Sequence, residues 1–122
     1  MTSQRIEKVQ KLARQVLGEL IHDLKDPRIG FATVTGVRIS ADLRHARVLV
    51  SVMGSEEEQK DTMAGLDSAK PYLRGEMGRQ MRMKYLPELV FELDHQLDEA
   101  LRVEELLHRI HEEEETRPGD GE

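Results

Sequence analysis

The chain has 122 residues, 34% of them charged, with a formal net charge of −6 and no cysteine. That length suits one domain burying about two thirds of its unfolded surface, and the missing thiols exclude a disulfide framework, a thiolate metal site and a thiol nucleophile. The absence of cysteine fits the cytoplasm, the expected compartment, without requiring it; no apolar run approaches the roughly 20 residues that span a bilayer, and the first residues are too polar for a secretion signal.

The first element is an amphipathic helix. Ile6, Val9, Leu12, Ala13, Val16, Leu17, Leu20, Ile21 and Leu24 recur at steps of three and four, the spacing of one buried stripe. Arg5, Lys8, Lys11 and Arg14 occupy its other face. Asp26-Pro27 is expected to end it, because the residue before proline is pushed out of the α region.

Phe31 to Ser40 is rich in Val, Thr and Ile and reads as a strand. Its alternation slips: Ala32 and Val34 are in one phase, Val37 and Ile39 in the other, and a bulge at Gly36 reconciles them. After Ala41-Asp42-Leu43, the residues Ala46, Val48, Val50 and Val52 alternate cleanly, so the two strands should form an antiparallel hairpin. Ser55 and Glu58 then make a capping box, opening a helix to about Ser68.

A break follows at Ala69-Lys70-Pro71, since proline disfavours helical geometry at Lys70 and lacks a donor. A second helical stretch is expected to about Tyr85. Pro87 closes it, and Leu89, Phe91 and Leu93 alternate as a third strand. Leu97, Leu101, Leu107 and Ile110 suggest a last helix opened near Asp94. Residues 112–122 hold six acids and one base among Gly, Pro and Thr, and read as an acidic disordered tail after a domain of residues 1–111. The crossover between the second and third strands passes through helices, so those strands can run parallel. The expected fold is α+β: two layers, a three-stranded sheet with helices packed on one face.

Charge is unevenly placed along these elements. Glu104 to Glu122 holds eight acids and two bases, so residues 1–103 balance at zero. Lys70, Arg74, Arg79, Arg82 and Lys84 face a single acid, Glu76, within the stretch they span. Recognition follows the local field rather than the total, so the acidic sum does not exclude RNA. At about 100° per residue, Arg74, Arg79 and Arg82 fall within an arc of about 140°, apart from the arc of Leu73, Met77 and Met81. Two readings are open: a phosphate-contacting face, or an ordinary solvated one. The same pair of readings applies to Arg5, Lys8 and Lys11. Phe31 and Phe91 are expected in the core, leaving no aromatic platform for stacked bases. His108 and His111 beside Glu104, Glu105 and Glu112 read as a solvated helix end rather than a metal site. His22-Asp23 and His45 have no nucleophile partner, and no phosphate-binding loop, dinucleotide fingerprint or nucleophile elbow occurs. No catalytic residue, metal or cofactor is expected.

Several ordered segments carry a family resemblance: Asp26-Pro27-Arg28, Val34-Thr35-Gly36-Val37, Ser40-Ala41-Asp42-Leu43, Ala46-Arg47-Val48, Leu73-Arg74, Met81-Arg82-Met83-Lys84, Pro87-Glu88-Leu89-Val90-Phe91 and Asp94. Over roughly residues 5 to 107 the chain resembles the ribosome-binding factor A family, whose domain is of the type II K-homology kind. The family usually breaks its helix pair with Ala-x-Gly; here Ala69-Lys70-Pro71 puts proline where that glycine stands. The resemblance implies a monomeric, non-enzymatic factor that binds the small ribosomal subunit and 16S ribosomal RNA near its 5′ end. It would act in late maturation and RNA processing, notably in the cold, work alongside other assembly factors, and leave before translation. From the residues alone, a protein-interaction module using the charged helices, or a small hydrolase, remains an alternative.

Overall fold

The computed structural model describes residues 2–95 and 104–111. The elements run α1 (Thr2–His22), β1 (Ala32–Ile39), β2 (His45–Val52), α2 (Glu56–Ser68), α3 (Lys70–Gln80) and β3 (Glu88–Leu93), followed by a helical segment α4 over 104–111. The expected acidic tail, and Leu97 and Leu101 of the expected last helix, lie outside the described residues.

The sheet has the order β1-β2-β3. β1 and β2 pair antiparallel, while β2 and β3 pair parallel, with Val48 opposite Phe91. The hairpin register slips between Val34 and Gly36, where Thr35 is the extra residue. That bulge restores the phase, so Val34, Val37 and Ile39 all turn inward.

One face of the sheet carries the helices. Ala13, Val16, Leu17, Leu20 and Ile21 of α1 are buried with Val48 and Val50 of β2, Leu66 of α2, Leu73 and Met77 of α3, and Leu89 of β3. These side chains leave water together, each of the larger ones contributing about 1.5–3 kcal/mol. The other face is polar, with Thr33, Thr35, Arg38 and Arg47 exposed, so the domain has two layers. Edge strand β1 is partly closed: Gln10 Oε1 on α1 accepts the Ile39 N–H at 2.9 Å.

Ser55 caps α2 as expected. Its hydroxyl accepts from the Glu58 N–H at 3.2 Å, and Glu58 Oε1 accepts from the Ser55 N–H at 3.1 Å. The break between α2 and α3 is the single residue Ala69, at φ −86 and ψ −4, which ends one helix and begins the next. Pro71 lies in the first turn of α3, where a missing donor costs least.

Four expectations are corrected. Helix α1 stops at His22, before Asp26-Pro27. Leu12 is not in its buried stripe but 47% exposed, because Ala13, Val16 and Leu17 already fill the contact with the sheet. Phe31 is not core: it precedes β1 and is 84% exposed, whereas Phe91 is buried. The second helical stretch ends at Gln80 rather than near Tyr85. Its terminus is a Schellman motif: the Met83 N–H donates to the Gly78 carbonyl at 2.9 Å and the Arg82 N–H to the Arg79 carbonyl at 3.3 Å. Arg82 takes the left-handed position with φ 52. The helical arc drawn through Arg82 therefore breaks one residue past the α3 cap.

Candidate nucleic-acid interface

The cations expected on the α3 side are in four different situations. Arg74 is turned back onto the chain: its Nε donates to the Pro87 carbonyl and its Nη2 to the Leu86 carbonyl, both at 2.9 Å. It pins the loop entering β3. That fork supplies charge to the surface but is already spent as a donor on two carbonyls. Arg79 is 76% exposed at its side chain and holds Glu76 at 2.7 Å. Lys70 Nζ lies 3.3 Å from Asp67 across the break. Exposed pairs of this kind contribute about 0–1 kcal/mol, so a phosphate can compete for either cation. Arg82 projects from the strained left-handed residue, exposed and without an acid partner among the described residues. Lys84 stands 5.5 Å from the centre of the Tyr85 ring.

On α1, Arg5, Lys8, Lys11 and Arg14 are exposed, and none forms an ion pair with the described residues. α1 packs beside α3, so these free cations and those of α3 belong to the same helical layer. The two groups differ chemically: α1 offers uncommitted charge, while the α3 cations Lys70, Arg74 and Arg79 are already partnered, by Asp67 of α2, the loop carbonyls and Glu76.

The outer sheet face holds further cations that periodicity did not single out. The hairpin register places Arg38 opposite Arg47. Arg47 is neutralised from the other side, its Nη2 donating to Glu92 at 2.6 Å and its Nε at 3.1 Å. The guanidinium holds the Glu92 carboxyl below its ordinary range, and the carboxylate raises Arg47 in return. Asp26 is likewise lowered, by the hydrogen bonds of Arg28, and Asp42 by the Ser40 hydroxyl and then the Arg44 N–H. Thr35, extruded by the bulge, gives its hydroxyl to Asp94 at 2.6 Å.

Among the described residues no group of three or more His, Cys, Asp and Glu is arranged to hold a metal ion. No described helix is long and apolar enough to cross a membrane. In α4, His108 and His111 are exposed together with Leu106, Leu107 and Ile110.

Comparison with known proteins gives this layout its family. The family model for ribosome-binding factor A matches residues 5–107. The ribosome-binding factor A of Halothermothrix orenii is 43% identical over 122 residues, covering 99% of this chain and 100% of that protein. Among solved structures, the crystal structure of ribosome-binding factor A from Thermus thermophilus superposes with a TM-score of 0.66 at 30% identity, covering 72% of this chain and 94% of that one. A homology model of the Thermus thermophilus factor, fitted into the cryo-EM map of a complex of the 30S subunit with ribosome-binding factor A, matches with a TM-score of 0.57 at 33% identity, covering 67% of this chain and 87% of that one. With the helix pair broken at one residue, the bulged hairpin and the parallel third strand all in place, the chain belongs to the ribosome-binding factor A family.

Proposed function

We propose that this chain is a ribosome-biogenesis factor that binds the small (30S) ribosomal subunit, contacting 16S ribosomal RNA near its 5′ end during late maturation and leaving before translation. The observation that carries the reading is the likeness to a relative placed in a 30S complex, at 33% identity over most of both chains. The factor works by binding, as one domain of residues 1–111 with the acidic segment 112–122 outside the contact, in the cytoplasm and without a cofactor.

The RNA-contacting set we propose comprises Arg5, Lys8 and Lys11 on α1, with Lys70, Arg79, Arg82 and Lys84 around α3. Arg74 belongs to it through long-range charge only. Each cation that meets a phosphate releases counterion, so subunit binding should weaken steeply with salt.

Co-sedimentation tests the reading. The protein should travel with free 30S subunits and be depleted from translating 70S ribosomes. Equal partition between the two, or no association at low salt, would remove the function proposed here and favour a non-ribosomal protein partner for the charged helices.

A further inference from the structure

A cleft of about 950 Å³ opens where the β1–β2 turn meets the loop entering β3. Asp42 and Arg44 come from the β1–β2 turn, His45 from the start of β2, Arg74 from α3, Tyr85 and Leu86 from the loop, and Glu88 from the start of β3. None of the motifs that mark the family's helix pair accounts for it.

Its walls are fixed. The Glu88 N–H donates to the Arg44 carbonyl at 2.7 Å, tying the turn to β3. Arg74 clamps the carbonyls of Leu86 and Pro87, and Leu86 seats its side chain against the bare Cα of Gly78. The turn itself is closed by the Ser40 hydroxyl, which donates to Asp42 at 2.6 Å. Asp42 accepts the Arg44 N–H as well, at 3.1 Å.

Within this rigid frame the groups facing solvent are unlike those of a phosphate site. The Tyr85 ring is 70% exposed and has a cation, Lys84, within 5.5 Å of its centre. Arg44 is exposed and makes no ion pair with the described residues. The one ion pair of Glu88 among the described residues is with His45, at a loose 3.9 Å. Asp42 is held within the turn by Ser40 and the Arg44 N–H, which leaves an exposed ring, an exposed guanidinium and the Glu88 carboxylate to match the three parts of a nucleotide. The ring takes the face of a base, the cation its phosphate, and the carboxylate accepts from an exocyclic amine. A paired base offers neither its face nor its Watson–Crick edge.

We infer that this cleft receives one unpaired RNA nucleotide with an amino-bearing base, stacked on Tyr85, with its amine on Glu88 and its phosphate at Arg44. The inference rests on the ribosomal-RNA reading above and adds to it a single-stranded contact at the β1–β2 turn, bordered by Arg74 of α3 and by Lys84 beside Tyr85.

The test uses the full chain and amide chemical-shift titrations with three probes: single-stranded r(CACA), single-stranded r(UUUU), and a fully paired RNA duplex. r(CACA) should shift Arg44, His45, Tyr85 and Glu88, and bind more tightly than r(UUUU). The duplex should leave those amides in place. Tyr85→Ala should weaken r(CACA) at least about fivefold while Tyr85→Phe preserves it, as stacking requires. Glu88→Gln should narrow the gap between r(CACA) and r(UUUU). Shifts confined to α1 and α3, or a Tyr85→Ala variant that binds r(CACA) as the parent does, would overturn the inference. 30S co-sedimentation of the unmodified chain is read in parallel. If it succeeds while the cleft stays silent, only the cleft inference fails; if it fails, the ribosomal reading itself is lost.

Discussion

Arg74 holds Pro87 by its carbonyl, Nε to oxygen at 2.9 Å, while its Nη2 holds the carbonyl of Leu86. An arginine that charge counting places on an RNA surface is therefore the clasp between α3 and the last strand. Hydrogen bonds from a charged donor contribute about 1.5–3 kcal/mol each when their partner is left unsatisfied. Arg74 is largely exposed and water can replace part of that, so Arg74→Ala should destabilise by about 1–2 kcal/mol in urea unfolding. Lysine cannot span both carbonyls as a fork, so Arg74→Lys should recover only part. A variant with unchanged stability and weakened RNA binding would return Arg74 to the set of direct phosphate contacts.

The same clasp makes Gly78 a sensitive position. A Cβ there would run into Leu86 Cδ2, and the neighbouring Met77 is fully buried, which leaves little room to give. Gly78→Ala raises helix propensity by about 1 kcal/mol yet should still destabilise by about 1–3 kcal/mol through overpacking. Gly75, also in α3, has nothing within 4 Å of where a Cβ would stand. Gly75→Ala should therefore stabilise, and the opposite signs in one helix can be checked by thermal denaturation of the two variants.

Acid should loosen the α1–β1 connection, the β1–β2 turn and the outer sheet face, where Asp26, Asp42 and Glu92 respectively stand. The carboxyls of Asp26, Asp42 and Glu92 are all held below their ordinary range. A carboxyl lowered by folding contributes stability that is present above the unfolded value. It is lost as pH falls through the folded one, because the unfolded chain then binds more protons. The loss should begin near pH 4 to 4.5, roughly the ordinary carboxylate range, and continue below it. Glu92→Gln removes one such group, so its stability should fall less steeply with acid than that of the parent. Circular dichroism of urea unfolding at about pH 5 and about pH 3, on either side of that range, measures the difference, and parallel slopes would show that Arg47–Glu92 contributes nothing.

Much of the fold was legible in the sequence because its signals are local. The capping box at Ser55, the proline at 71 and the phase slip before Val37 each act over a few residues. Where sequence reading failed, tertiary geometry decided. Phe31 has the composition of a strand residue, yet it falls just outside the ladder, with its backbone paired to Met53 and its ring in solvent. Arg82 follows helical spacing on paper, but the chain turns left-handed there to close the Schellman motif. Arg74 could not be read as a clasp, because Leu86 and Pro87 reach it only when β3 docks beside β2. The α1 cations lie off the buried stripe as the spacing indicates, sharing the exposed side with Glu7 and Glu19, since a long amphipathic helix fixes which side chains share a side.

Arg82 should reveal a trade between stability and binding. Glycine suits the left-handed C′ position, whereas a side chain there costs about 1 kcal/mol. Arg82→Gly should raise stability by up to about 1 kcal/mol and at the same time weaken 30S association. Arg82→Ala separates the two effects, losing the charge while keeping most of the strain. If both variants bind subunits as the parent does, Arg82 is outside the contact and the left-handed arginine is only tolerated.

The decisive comparison is between α1 and α3. Lys8 and Lys11 are free of acidic partners among the described residues, while Arg79 must give up Glu76 at 2.7 Å before it can take a phosphate. Full phosphate contacts at Lys8 and Lys11 should each contribute about 0.7 to 0.9 to the slope of log affinity against log salt. Lys8→Ala with Lys11→Ala should therefore flatten that slope by about 1.4 to 1.8, with the fold intact because both side chains are exposed. Arg79→Ala should flatten the slope by less, since part of that charge is already committed to Glu76. Replacing Glu76 by Gln should strengthen binding by uncovering Arg79. Binding measured across a salt series for these variants ranks the two helices. If the α1 pair leaves affinity and slope unchanged while Arg79→Ala flattens the slope, the RNA lies along α3 and the basic face of α1 is merely solvated.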